Sequence, residues 1–148
     1  MGKFLIACSL ILGMLCAQPV KADLCVIVHP DSPVQSLTSL QVSDLYLGRA
    51  RGFDGNGLTN ESQATIFDQP ENSALRAKFF RAVNAMSVER VTSYWARLRF
   101  SGHILPPEPL ADNGAIIAAV SKNPQAIGYV DASAISGSGV KVVLRLKE

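Results

Sequence analysis

Four short apolar runs alternate with four stretches of helical period, and that alternation limits the chain to an α/β arrangement. Leu24 to His29 is a continuous, largely β-branched run stopped by Pro30 and the turn-rich Asp31-Ser32-Pro33, which predicts a strand covered on both faces. Ala64 to Phe67, Ala126 to Val130 and Val140 to Leu146 read as further strands. One small domain built this way calls for a mixed sheet flanked by helices.

Each helical stretch carries its own start signal. Thr38 is the expected N-cap of the first, with Gln41 closing a capping box, Leu37 and Val42 forming a staple, and Gly48 past the end. Leu40, Val42, Leu45 and Leu47 are its expected apolar side. In the second, Asn72 or Ser73 is the cap, and Leu75, Phe79, Val83 and Met86 form a stripe at helical spacing. The third starts after Ser87, places Val88, Val91, Trp95 and Leu98 on one side, and leaves Arg90 and Arg97 solvated. The fourth starts at Asp112, carries Ile116, Ile117 and Val120, and stops at Asn123-Pro124.

The first 22 residues read as an export signal: Lys3, an apolar stretch from Phe4 to Ala17, and Val20-Lys21-Ala22 as a cleavage site. Cleavage after Ala22 and a periplasmic location are expected. A lipidation box at Leu5-Ile6-Ala7-Cys8 is a weaker alternative, because almost no apolar region precedes Cys8. Removal of residues 1–22 leaves 126 of the 148, which suits a single domain from 23 to 148. Loss of Lys3 and Lys21 from the 14 basic residues leaves 12, equal to the 12 acidic ones. A neutral domain gives no reason to expect a nucleic-acid partner.

Cys8 and Cys16 leave with the signal, so Cys25 has no partner within the chain. It sits in the first apolar run, where a buried thiol is the leading expectation and an intermolecular bridge the lesser one. From Arg49 to Gly57 a loop is expected, with tight turns at Asp54-Gly55 and Asn56-Gly57. Asp54 and Asn56 have the spacing that opens a calcium loop, but Leu58 and Thr65 stand where ligands belong. His29 and His103 read as strand-end and turn residues, and no metal or other cofactor is implied. No Gly-x-Ser-x-Gly elbow or glycine-rich nucleotide loop with its lysine is present, which disfavours an enzyme.

Arg76 is the odd residue. With Ser73 as cap it occupies the third helical position, where Glu or Gln is favoured and where a cation opposes the positive end of the helix dipole. Two readings compete: a plain capped helix with Glu71 neutralising Arg76, and a seat for an anion at the helix N-terminus.

Val28-His29-Pro30-Asp31-Ser32-Pro33-Val34 with Leu45-Tyr46-Leu47-Gly48-Arg49, then Tyr94-Trp95-Ala96-Arg97-Leu98-Arg99-Phe100-Ser101-Gly102, then Asn123-Pro124-Gln125-Ala126-Ile127-Gly128-Tyr129-Val130, resemble in order and spacing the phosphate-type periplasmic substrate-binding proteins. The resemblance covers nearly all of residues 23 to 148. It implies one lobe of a type 2 periplasmic-binding-protein fold, where full members have two lobes that close on the ligand. It also implies that the turn before the second helix corresponds to a phosphate-holding Gly-Ser-Gly-Thr-Arg. Here that turn is Asn72-Ser73-Ala74-Leu75-Arg76, and Gln69 stands at the family's upstream arginine. Both glycines, the threonine and that arginine are gone, which removes close backbone approach, a hydroxyl donor and a bidentate clamp.

The resemblance thus implies weak binding of phosphate or another small oxyanion at Asn72, Ser73, Ala74 and Arg76, with Tyr129 as a further lining candidate. A homodimer that restores the cleft, a membrane transporter and a periplasmic protein are the possible partners. The competing function is a periplasmic interaction or scaffold module with no small ligand.

Overall fold

The structure is a computed structural model that describes residues 23–102 and 104–147. The signal segment with Cys8 and Cys16, and His103, lie outside the described residues. In chain order the elements are β1 (Leu24–Val28), α1 (Ser39–Tyr46), β2 (Gly52–Asp54), β3 (Gly57–Thr59), β4 (Thr65–Asp68), α2 (Ala74–Asn84), α3 (Val88–Ser101), β5 (Glu108–Pro109), α4 (Asn113–Lys122), β6 (Ala126–Asp131) and β7 (Lys141–Leu146).

Five strands form one mixed sheet in the order β5-β4-β6-β1-β7. β4 runs parallel to β5 and β6, whereas β1 pairs antiparallel with both β6 and β7. Every residue of β1 is buried because both faces of the sheet are covered. Leu24, Val26 and Val28 point into a core closed by α1, α2 and α3. Cys25 and Ile27 point the other way, into a core made mainly by Ile116 and Val120 of α4 with Phe67 and Val130. Cys25 is fully buried and free, and burial pushes its thiol pKa up.

The four caps sit where local chemistry puts them. Thr38 and Gln41 form the capping box, and Ser73, Ser87 and Asp112 each accept a backbone N–H of their helix. Gly48 follows α1 at φ +70, and an added Cβ would lie 3.0 Å from both Ile104 and Trp95 side-chain atoms. Trp95 is core, and Arg90 and Arg97 are exposed.

Two expectations need correction, and one short strand forms where the sequence offers no strand signal. Leu40 is 68% exposed and does not join Val42, Leu45 and Leu47 on the buried side of α1. A hydrophobic residue two positions before Val42 falls on the opposite side of a helix. The segment from Arg49 to Gly57 is more ordered than a loop, because Gly52 to Asp54 pairs with Gly57 to Thr59 in a hairpin. The Asn56 N–H donates to Asp54 Oδ1 at 2.7 Å, which fixes its turn. Finally, the proline-rich segment before Leu110 supplies β5, a two-residue edge strand, where Pro109 is tolerated because one side of the strand has no partner strand.

Candidate functional site

β4 ends at Asp68, the chain turns through Gln69 to Asn72, and α2 begins at Ala74. Of the two possible caps the structure selects Ser73, whose Oγ accepts the Arg76 N–H at 3.3 Å. Asn72 is exposed in the turn, Ala74 is exposed as the first helical residue, and Ser73 is half-buried. These three face solvent beside the unpaired N–H groups of the first helical turn.

Arg76 turns inward instead. Its Nε donates to Asp68 Oδ2 at 2.9 Å, and the guanidinium lies 5.1 Å from the centre of the Phe80 ring. The side chains of Arg76 and Asp68 are 11% and 6% exposed, so this is a buried ion pair. The anion that Arg76 requires at its helical position is therefore Asp68, eight residues upstream, and not Glu71, which is exposed. One guanidinium nitrogen, Nη1, has no hydrogen-bond partner among the described residues.

Tyr129 reaches the same carboxylate from β6. Its hydroxyl donates to Asp68 Oδ1, which also accepts the Gln69 backbone N–H at 2.8 Å. Tyr129 is fully buried, and its ring stacks on Phe79 with centres 3.7 Å apart and planes 3° from parallel. It meets the site through Asp68 and does not line an open surface. Burial, followed by the charge of Asp68, pushes the Tyr129 phenol well above its ordinary value, so it stays protonated and acts as a donor. The Tyr46 hydroxyl donates to the Phe67 carbonyl at 2.8 Å, and Tyr46 packs edge-on against Phe79 and Tyr129.

Gln69 completes the arrangement. Its Nε2 donates to Asn113 Oδ1 at 2.8 Å and to the Tyr129 carbonyl at 3.0 Å, tying the turn to α4 and β6. The Gln69 side chain is therefore buried and committed to the fold. The structure thus joins Arg76 and Tyr129 through one residue that the sequence reading did not single out, Asp68, while Ser73 meets Arg76 through the helix cap. The available signal was an acid closing a strand that runs into a capped turn. With Arg76 matched by Asp68, the exposed Glu71 is left as the uncompensated charge between positions 68 and 76.

A larger cleft, of about 810 Å³, lies by the C-terminal ends of α1 and α3 and is lined in part by Leu45, Arg51, Trp95, Arg99 and Leu105. Its lining also holds Gln63, Thr65 and Glu108, whereas at Asp68 a guanidinium, a hydroxyl and a backbone amide meet one carboxylate in hydrogen bonds. His29 is occupied locally, its Nδ1 accepting the Asp31 N–H at 3.0 Å. Among the described residues, no three side chains of metal-ligating type are gathered, and no helix is long and apolar enough to cross a membrane.

No family model matches the chain, and no curated protein matches it by sequence. Solved structures do. A Clostridium perfringens chain, described as a phosphate ABC transporter substrate-binding protein and solved with bound phosphate, superposes with a TM-score of 0.64 at 22% identity, over 83% of this chain and 45% of its own. An ABC-type phosphate transport receptor from Vibrio cholerae gives 0.63 at 19% identity, over 82% and 45%. PstS from Borrelia burgdorferi gives 0.61 at 14% identity, over 83% and 47%. The fold is that of one substrate-binding-protein lobe. The chain spans less than half the length of these structures. In this lobe the turn from Asp68 to Arg76 joins β4 to α2.

Proposed function

We propose that the protein is an exported substrate-binding-protein-like domain that binds phosphate or a similar small oxyanion weakly. The seat is the N-terminal turn of α2, where Asn72, Ser73 and Ala74 are accessible and Arg76 lies behind them. The carrying observation is a guanidinium nitrogen, Arg76 Nη1, with no hydrogen-bond partner among the described residues, set at a helix N-terminus in a fold shared with a phosphate-bound protein. Weakness follows from the same place. Asp68 cancels the charge of Arg76, Tyr129 is committed to Asp68, and an open face leaves an anion screened by water and salt. Binding without chemistry is the proposed role, in the periplasm, with the signal removed after Ala22.

One observation favours a second reading. Asp68 already accepts the donors of Arg76 and Tyr129, as in a site that needs no ligand. On that reading the lobe is an interaction or scaffold module, whose partner is a membrane transporter, another periplasmic protein or a second copy of itself.

Calorimetric titration of residues 23 to 148 with phosphate and sulfate separates the two. Weak binding that falls several-fold in Ser73→Ala and is lost in Arg76→Gln is expected, since each removes a group from the turn. Circular dichroism of each variant checks that the fold is intact. No heat and no thermal shift at millimolar anion would leave the scaffold reading.

A further inference from the structure

Three donors at the end of β4 converge on one carboxylate. Arg76 Nε meets Asp68 Oδ2 at 2.9 Å, while Oδ1 takes the Gln69 N–H at 2.8 Å and the Tyr129 hydroxyl. A guanidinium, a backbone amide and a hydroxyl are the groups with which proteins hold an oxyanion. Here the oxyanion they hold belongs to the chain itself. Asp68 is 4% exposed, so it is the filling of the constellation and not a group on its surface.

We propose that Asp68 is a built-in competitor, an intramolecular carboxylate that occupies these donors and sets the affinity of the turn for external oxyanions low. The inference rests on reading the α2 N-terminus as an oxyanion seat. A carboxylate that the fold holds at 2.9 Å competes as an intramolecular ligand, so it keeps Arg76 against dissolved anions. With that pair formed, an arriving phosphate meets Ser73, the first-turn amides and the partial charge of the helix end, but no net cation. Asparagine at position 68 preserves the shape and keeps an acceptor for Tyr129 or Gln69. It also releases one full positive charge beneath the turn.

Phosphate and sulfate are titrated into the wild type, Asp68→Asn, and Asp68→Asn with Arg76→Gln. Asp68→Asn is expected to bind phosphate tighter by about tenfold or more, the size of an uncancelled neighbouring charge at a partly screened site. That gain should shrink with added salt and vanish in the double variant. Damage to a fold lowers binding, so a gain cannot come from disruption alone. A folded Asp68→Asn with wild-type affinity, or a gain that survives Arg76→Gln, overturns the inference.

If Asp68→Asn does not fold, the wild type answers the question by nuclear magnetic resonance. The Arg76 Nε–H signal should stay in place while phosphate shifts the Ala74 and Leu75 amides, and movement of that signal with them would mean that phosphate displaces Asp68. A wild type that takes no phosphate beside an Asp68→Asn that does would remove the weak-binding reading and leave the role of Asp68 standing.

Discussion

At the scale of single residues, Tyr129 is held as a phenol by its surroundings. Burial is the larger cause and the neighbouring Asp68 charge the next, and both raise its pKa above the ordinary 10.0. Tyr46 is raised for the same two reasons, and Cys25 is raised from 9.0 chiefly by burial. All three therefore contribute stability that is fully present below their unfolded values and lost as pH rises, because the unfolded chain can ionise where the native one resists. The urea midpoint should decline from about pH 9 upward, more steeply than exposed groups alone would give. Asp131 acts at the other end: hydrogen bonds from Ser133 lower its pKa, so its contribution is lost only in acid. Tyr129→Phe should flatten part of the alkaline decline while lowering stability at neutral pH. It leaves buried Asp68 one donor short, a cost of about 1–3 kcal/mol, and equilibrium unfolding at neutral and alkaline pH measures both effects.

At the scale of elements, what the sequence disclosed follows from how local each interaction is. Thr38 with Gln41, Ser73, Ser87 and Asp112 all cap their helices as read, because a cap is satisfied within three residues. Thr38→Ala should accordingly cost about 1 kcal/mol by thermal or chemical unfolding. Strands β1, β4, β6 and β7 were legible as apolar runs, but β5 was not, since Glu108 and Pro109 become a strand only by lying beside Phe67 and Asp68. The site divides the same way. Ser73 and the turn could be read from spacing and composition, and Arg76 announced a missing anion. Which acid supplied it could not be read, because Asp68 and Arg76 meet only after the chain reverses between β4 and α2. Contact across elements also gives Gly128 its meaning. In β6 it faces α4, and a Cβ there would lie 2.6 Å from Ile116 Cγ2. Gly128→Ala should lower stability by about 1–3 kcal/mol through overpacking, whereas Gly137→Ala, with open space around it, should show only the strain of its positive φ.

At the scale of the whole molecule, the question is whether half of a two-lobed architecture behaves as a complete cooperative unit. The sheet carries a core on each face, and the two cores share β1 and β6, whose alternate residues project into each. Neither face can lose its packing without freeing residues that anchor the other, so the two should melt together. The chain provides one reporter for each side. Trp95, the sole tryptophan, belongs to the core under α1 to α3. Cys25 belongs to the core under α4 and is fully buried. In a protein of residues 23 to 148, pulse labelling of Cys25 with a thiol reagent and the fluorescence of Trp95 should trace the same urea transition. Exposure of Cys25 at lower urea than the Trp95 change would mean that α4 detaches first. Gln69 and Asn113 would then part, and the turn that carries Ser73 and Arg76 would lose its tie to the sheet while the rest stayed folded. Coincident curves would establish that the turn is positioned by the entire lobe, so that changes anywhere in either core weaken ligand binding only as far as they unfold the domain.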